Sequence, residues 1–381
     1  MNRSPVGDFA TTGARHLVVT LGWVDGGVDF SLLDVPRSTP IDDPDVFLRT
    51  AMAWHFGAAT GSPFWLRAKL EFDPLTDVRT FDDLRLFPNL LDELRDVPVG
   101  DLVPRGYGSP LPVPQVFESG GTTGAPKRTV QLPDWVAQTV EWHCEDFLAG
   151  GFVRGRGLLE LMPSGPHGVG FYARLVAERL GSVCFTVDLD PRWAKRLSGT
   201  ELSAYVEHIL DQARLVLRTQ DVGNLHTTPP LLQAIARDEG LVELIGAEVG
   251  YLLLSGAHVD PDTLDLLNEI FPDTTVTVTY GSTMIMSQAR TRFDDDRFVF
   301  DPRSPYVVFG VVDPATGAPV PYGERGQVVM NHVSKGMFMP NNLERDTAIR
   351  LPGPVGQVGD SVAEVAPVET FDGAAVVEGV Y

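Results

Sequence analysis

Between Glu118 and Arg128 the chain reads ESGGTTGAPKR, with glycines at 120, 121 and 124, hydroxyls at Ser119, Thr122 and Thr123, and a cation at Lys127. The chemistry that uses all of these at once is the binding of a phosphate chain. Glycines let successive backbone N–H groups turn toward one point, as in an anion nest. The hydroxyls add donors and the lysine adds a charge. The segment PQVFES reads as a strand entering the loop, and DWVAQTVEWHCEDFLAGG as an amphipathic helix leaving it, a setting that suits an anion. The loop is not of the Walker type, because Gly120 is followed five residues later by Ala125 and not by Gly-Lys. A flexible glycine turn with an incidental lysine is the competing reading, and the completeness of the set argues against it.

Four later stretches add candidates. LMPSGPHGVG (161–170) carries His167 and Gly168, and LLLSGAHV (252–259) carries Gly256, Ala257 and His258. VTYGSTM (278–284) carries Tyr280, Gly281 and Thr283, and QVGDSVAEV carries Gly359 and Asp360. Each alone reads equally well as a strand end or a turn. In this order after the glycine loop, they closely resemble the motifs of the adenylate-forming superfamily, which includes acyl- and aryl-CoA ligases, luciferases and peptide-synthetase adenylation domains. The resemblance covers roughly residues 70–381.

The resemblance implies ATP and Mg²⁺ as cofactors, with CoA as a candidate acceptor. It implies that Ser119, Gly120, Gly121, Thr122, Thr123, Gly124 and Lys127 hold the phosphates. Gly256, Ala257, His258, Tyr280 and Gly281 would contact adenine, Thr283 the α-phosphate, and Asp360 both ribose hydroxyls, for which a carboxylate is suited as a double acceptor. His167 and Gly168 would line the acid pocket, with Lys127, Thr283 and His167 as the catalytic group. Two departures stand out. Met284 occupies the position of the family's magnesium-holding glutamate, and a thioether is a poor ligand for a hard cation. The chain also reaches Tyr381 where the family's mobile C-terminal domain, with its lysine, is expected to follow.

The elements that must position these residues show a regular rhythm. RGLLELMP, VCFTVDLD, VGYLLLSGA and TTVTVTYGS read as strands. GFYARLVAERLG, PPLLQAIARDEG and DTLDLLNEIFP read as helices between them. The helix after the glycine loop is expected to bury Trp135, Val136, Val140, Cys144 and Phe147 and to stop at Gly150-Gly151. Such alternation argues for mainly parallel sheets covered by helices. After about Asp301 short strands separated by Gly, Pro and Asp turns predict a small antiparallel unit. With the resemblance, the expected fold is α/β, the large N-terminal part of an adenylate-forming enzyme. It has two stacked, helix-covered sheets over residues 1–300 and a small β-barrel over 301–381, without the mobile domain. Phe81–Val97 has helical spacing interrupted by Pro88, and Val103–Gln115 is a Pro-rich connector.

Composition excludes several classes. Lys plus Arg is 30 against 51 for Asp plus Glu, a net charge of −21, which repels nucleic acid. Two cysteines, Cys144 and Cys184, cannot make a disulfide framework or a cysteine-rich zinc site, and the eight histidines show no ligand spacing. No signal peptide or membrane-length apolar run is seen, so a cytoplasmic protein is expected. A serine hydrolase is set aside, because there is no Gly-x-Ser-x-Gly elbow and Gly359-Asp360-Ser361 has no supporting histidine pattern. The resulting expectation is ATP-dependent adenylation of an aryl or other small carboxylic acid in a biosynthetic, antibiotic-type pathway. The acyl group would pass to CoA, a carrier protein or an amine, as in stand-alone members from phenazine antibiotic synthesis. An acid pocket is expected near Phe171, Tyr172, Ala257 and His258. The alternative is a catalytically impaired nucleotide-binding partner or subunit.

Overall fold

The computed structural model describes residues 23–24, 27–36, 41–120, 125–256, 258–295, 297–368, 370–371 and 374–375. Five parallel strands lie at its centre, in the order Cys184–Thr186, Gly157–Glu160, Val222–Thr227, Tyr251–Leu254 and Thr275–Val278. The winding starts at Gly157–Glu160, steps to one side, and then crosses back to Val222–Thr227. In an open parallel sheet, the crevice beyond the carboxyl ends at such a reversal is where ligands bind.

Every position of the three central strands is buried, as expected for strands covered on both faces. The pleat sorts their side chains. Leu158, Tyr251 and Leu253 pack on one face beneath the helices Pro133–Ala149 and Gly168–Arg179. Leu159, Leu225, Leu252 and Leu254 point to the other, beneath Gly199–Thr219, Pro229–Ile235 and Glu239–Glu248. The Pro133–Ala149 helix buries Trp135, Val140, Cys144 and Phe147 as its spacing predicts, with Thr139 and His143 on the same stripe. Val136 is only half-buried. The helix ends at Gly150, and Gly151 follows at φ 102°. Gly170 is needed for packing, since a Cβ there would stand 2.6 Å from the Ser164 Cα.

Three expectations are corrected. First, the strand that enters the glycine loop is one arm of a β-hairpin. Gln115–Glu118 pairs antiparallel with Arg128–Gln131, and the helix starts only at Pro133. The segment RTVQ pairs back onto the entering strand, so the helix that follows the loop in sequence begins beyond the hairpin stem. Second, the antiparallel unit begins before residue 301. A six-stranded sheet runs Arg290–Asp294, Arg297–Asp301, Asp360–Pro367, Phe338–Pro352, Arg325–Val333 and Val307–Val312, and its two edge strands do not pair with each other. Its Phe309, Val328 and Met330 share one apolar core with Leu225 and Leu252 of the parallel sheet. One helix-covered parallel sheet is present among the described residues, not two. Third, Phe81–Val97 forms two short 3-10 segments, Phe81–Leu86 and Leu91–Arg95, on either side of Pro88.

The N-terminal part has its own core. The helix Pro44–Phe56 is capped by Asp43, which accepts from the Asp45 and Val46 N–H groups at 2.9 and 3.2 Å. Phe47, Leu48, Met52 and Trp65 pack there with Phe87 and Phe338. Indole N–H groups tie the layers together, Trp54 to the Lys335 carbonyl at 2.8 Å and Trp65 to the Phe338 carbonyl at 3.0 Å. No helix of the described residues is long and apolar enough to cross a membrane.

Candidate functional site

A cavity of about 710 Å³ opens over the carboxyl ends of the parallel strands, where the strand order reverses. Met162 and Pro163 continue one strand into its wall; His226, Ser255, Gly256, Thr279 and Tyr280 come from the next three. The antiparallel sheet closes the other side through Asn342, Leu343, Glu344, Arg345 and Asp346.

At the mouth, Ser119, Gly120 and Lys127 line the cavity. The hairpin stem holds them together. Ser119 N–H donates to the Lys127 carbonyl at 2.9 Å, and Lys127 N–H donates to Ser119 Oγ at 3.0 Å. The Lys127 ammonium lies 3.2 Å from Asp92, whose side chain is 75% exposed, so a stronger anion can displace that carboxylate. Lys195 reaches the same loop, donating to the Gly120 carbonyl at 3.1 Å, and burial lowers its pKa to about 8. Gly121, Thr122, Thr123, Gly124 and Ala257 lie outside the described residues.

His167, Gly256, His258, Tyr280, Gly281 and Thr283 also line the cavity. His167 precedes the Gly168–Arg179 helix, and burial, then Arg192, lowers its pKa. The His258 ring is held by the Val365 carbonyl. Tyr280 packs against Phe300 at 5.6 Å, and its hydroxyl donates to Asp346 at 3.0 Å.

Asp360 is not at the cavity. It is 5% exposed, 2.8 Å from the Arg350 guanidinium, and accepts from the Val311 N–H at 3.3 Å. Gly359 before it sits at φ 77°, and a Cβ there would stand 2.5 Å from the Phe309 carbonyl oxygen. In this structure the Gly-Asp pair packs within the antiparallel sheet. The carboxylate that faces Tyr280 is Asp346, on the strand Phe338–Pro352.

Charge at the cavity departs from that of the chain. Arg95, Lys127, Arg297 and Arg345 face Asp92, Glu344, Asp346 and Glu364, so the lining is balanced where the whole protein carries −21. Glu344 is pushed up to about 7, first by burial and then by Asp346. Met284 is 6% exposed and packs into the N-terminal core. Among the described residues no three His, Cys, Asp or Glu side chains come together as a metal site. At Met284 itself the described residues offer a thioether, a poor ligand for Mg²⁺.

The inner end is an aromatic recess lined by Phe117, Phe147, Tyr172 and Met162. Tyr172 lines it as expected, while Phe171 turns away and packs on Phe117 at 5.2 Å. The Tyr172 hydroxyl donates to Gln131. Buried His143, lowered to about 3 mainly by burial, keeps its Nε2 without a partner. At the floor, His226 joins Glu160 and Ser255 through its two ring nitrogens.

Sequence reasoning missed Asp346, Glu160, His226 and Ser255. The strand VGNLHT was not recognised because Gly223, Asn224 and His226 interrupt its apolar pattern. The available signal was a glutamate inside the apolar run LLELM, which needs a polar partner in the sheet.

No family model and no curated protein matches this chain. Solved structures do. One is 2-hydroxyisobutyryl-CoA ligase in the postadenylation state with 2-HIB-AMP, 18% identical over 91% of this chain and 72% of that one, with a TM-score of 0.61. The open conformation of that ligase, in complex with 2-HIB-AMP and CoA, is 18% identical over 90% of this chain and 83% of that one, with a TM-score of 0.57. Over most of its length the chain therefore shares the fold of this acid–CoA ligase.

Proposed function

We propose that this protein activates a small carboxylic acid as its acyl-adenylate with ATP. The observation that carries the reading is the union, in one cavity, of the Ser119–Lys127 hairpin, the Tyr280–Asp346 pair and an aromatic recess. The phosphates would lie against Ser119, Gly120 and Lys127. The ribose would take the place of the Tyr280 hydroxyl at Asp346, with the base beside Tyr280, Gly256 and His258. The acid would sit in the recess, its carboxylate directed at the α-phosphorus near Thr283. Attack forms the carboxyl O–P bond as pyrophosphate leaves. Positioning and charge neutralisation supply most of the rate in such a step. Here Lys127 and Arg345 supply the protein's share, and no step is assigned to a protein-held metal.

The lining of Phe117, Phe147 and Tyr172 favours an aromatic or branched acid, and the open Nε2 of His143 favours one with a hydrogen-bonding substituent. CoA, a carrier protein or an amine is the acceptor in this reading. CoA is the first to try, because the similar ligase binds it. Acid-dependent exchange of labelled pyrophosphate into ATP tests the proposal, using aryl, hydroxyaryl and branched acids. The second reading, a nucleotide-binding homologue without turnover, draws on buried Met284. ATP binding by calorimetry with no exchange for any acid would favour it.

A further inference from the structure

Glu160, His226 and Ser255 lie on three neighbouring strands and share one face of the parallel sheet. Glu160 and His226 are paired across the strands, and Ser255 follows directly on the strand Tyr251–Leu254. Glu160 Oε2 lies 2.9 Å from His226 Nδ1, and His226 Nε2 lies 2.7 Å from Ser255 Oγ. All three are buried, with Glu160 and His226 at 0% and 2% exposure, yet His226 and Ser255 line the cavity. Burial raises the Glu160 pKa and the adjacent His226 opposes the rise; with Glu160 ionised, Nδ1 carries the proton and Nε2 accepts from the Ser255 hydroxyl. That is the tautomer and order of a nucleophile, its base and the group that orients the base.

We propose that Ser255 is a nucleophile toward activated acyl groups, with His226 as its general base and Glu160 as a positioning residue. No sequence elbow marks this serine, because its partners come from other strands. The donor class is an ester, thioester or acyl phosphate held in the aromatic recess. As the Ser255 Oγ–C bond forms, the hydroxyl proton passes to His226 Nε2. The bond from carbon to the leaving oxygen or sulfur breaks, and Nε2 returns the proton to that atom. Water then attacks the acyl-serine, gives a proton to Nε2, and releases the carboxylic acid as Oγ–H is restored. Gly256, at φ 81°, follows the nucleophile on the same cavity wall, and its N–H is the candidate oxyanion donor in this proposal. The chemistry needs no ATP, so its test is independent of the adenylation reading.

The experiment treats the full chain with a fluorophosphonate probe and locates the adduct by intact mass and peptide mapping. Turnover of p-nitrophenyl acetate is followed in parallel. The expected result is one adduct, on Ser255, absent in Ser255→Ala. His226→Gln should slow labelling by about 100-fold or more, the scale of general-base loss. Glu160→Gln should lower kcat for the ester with KM unchanged, which a packing role alone would not produce. Wild-type protein that takes no label, or takes it elsewhere, overturns the proposal without any variant having to fold. So does a folded His226→Gln protein that labels at the wild-type rate.

Discussion

The two ends of the cavity are built from opposite kinds of polar contact. At the mouth, Lys127 meets an Asp92 side chain that is 75% exposed. At the floor, the Glu160–His226 pair is essentially dry, at 0% and 2% side-chain exposure. Exposed pairs are worth ~0–1 kcal/mol and can be exchanged for a ligand's charges. Buried ones contribute little net stability when intact, but breaking them leaves an uncompensated charge or dipole. The mouth is suited to release its protein partners to a phosphate chain. The floor is suited to hold one geometry.

The largest expected effect concerns the two aspartates. Asp360→Ala strands Arg350 in a largely buried setting and should cost about 3 kcal/mol in urea unfolding, with pyrophosphate exchange by the surviving folded fraction unchanged. Asp346→Ala should do the reverse. Losing a charge-assisted double acceptor for ribose should raise the ATP KM by about 10- to 100-fold, with urea stability shifted far less. An exchange assay in which Asp360→Ala shows the KM change and Asp346→Ala does not would reverse the assignment.

Next comes pH. Burial lowers His143 and His332 to about 3 and His55 to about 4, from an ordinary value of 6.5. The folded state keeps them neutral while the unfolded chain takes up protons below 6.5. Their contribution is therefore present above that pH and is lost as pH falls toward 4, by about 1.4 kcal/mol per pH unit for each. Glu344, raised from 4.5 to about 7, acts in the opposite sense: between those values the folded state holds a proton that the unfolded chain has released. Acidification from 6.5 to 4.5 should thus lower the urea midpoint, and Glu344→Gln should steepen that fall. A flat midpoint over this range would contradict the buried, neutral histidines.

Smaller effects should appear at the mouth. Asp92→Asn should move Tm by no more than about 2 °C, in keeping with a pair worth ~1 kcal/mol or less, and should tighten ATP binding by freeing Lys127. Lys127→Ala should also leave Tm nearly unchanged while weakening ATP binding roughly tenfold, as calorimetry would show. If Lys127→Ala instead unfolds the protein with ATP affinity intact, the contrast between mouth and floor fails.

Much of the site was legible as ordered local pieces. A strand entering glycines and a lysine, Tyr280-Gly281 after TTVTV, and Gly256 after YLLLS each sit at a strand's carboxyl end. Local pattern is enough to place such residues, and the parallel sheet brings these ends to one edge. The hairpin behind the glycine loop was misread because RTVQ is only four residues long and merges with the helix that follows. Asp360 was assigned to the ribose from the resemblance of Gly359-Asp360 to a family motif, and Asp346 carries no such local mark. Gly359 answers to the Phe309 backbone across the sheet, a contact the local sequence does not display.

By itself, the sequence determined the alternation of strands and helices and the buried stripes, because these depend on neighbours within a few residues. Tertiary structure alone decided which aspartate faces Tyr280 and that a glutamate, a histidine and a serine meet at the floor. The partners in that chain are separated by 66 and 29 residues. Only strand order and register, set by packing of the whole core, bring them within hydrogen-bond distance.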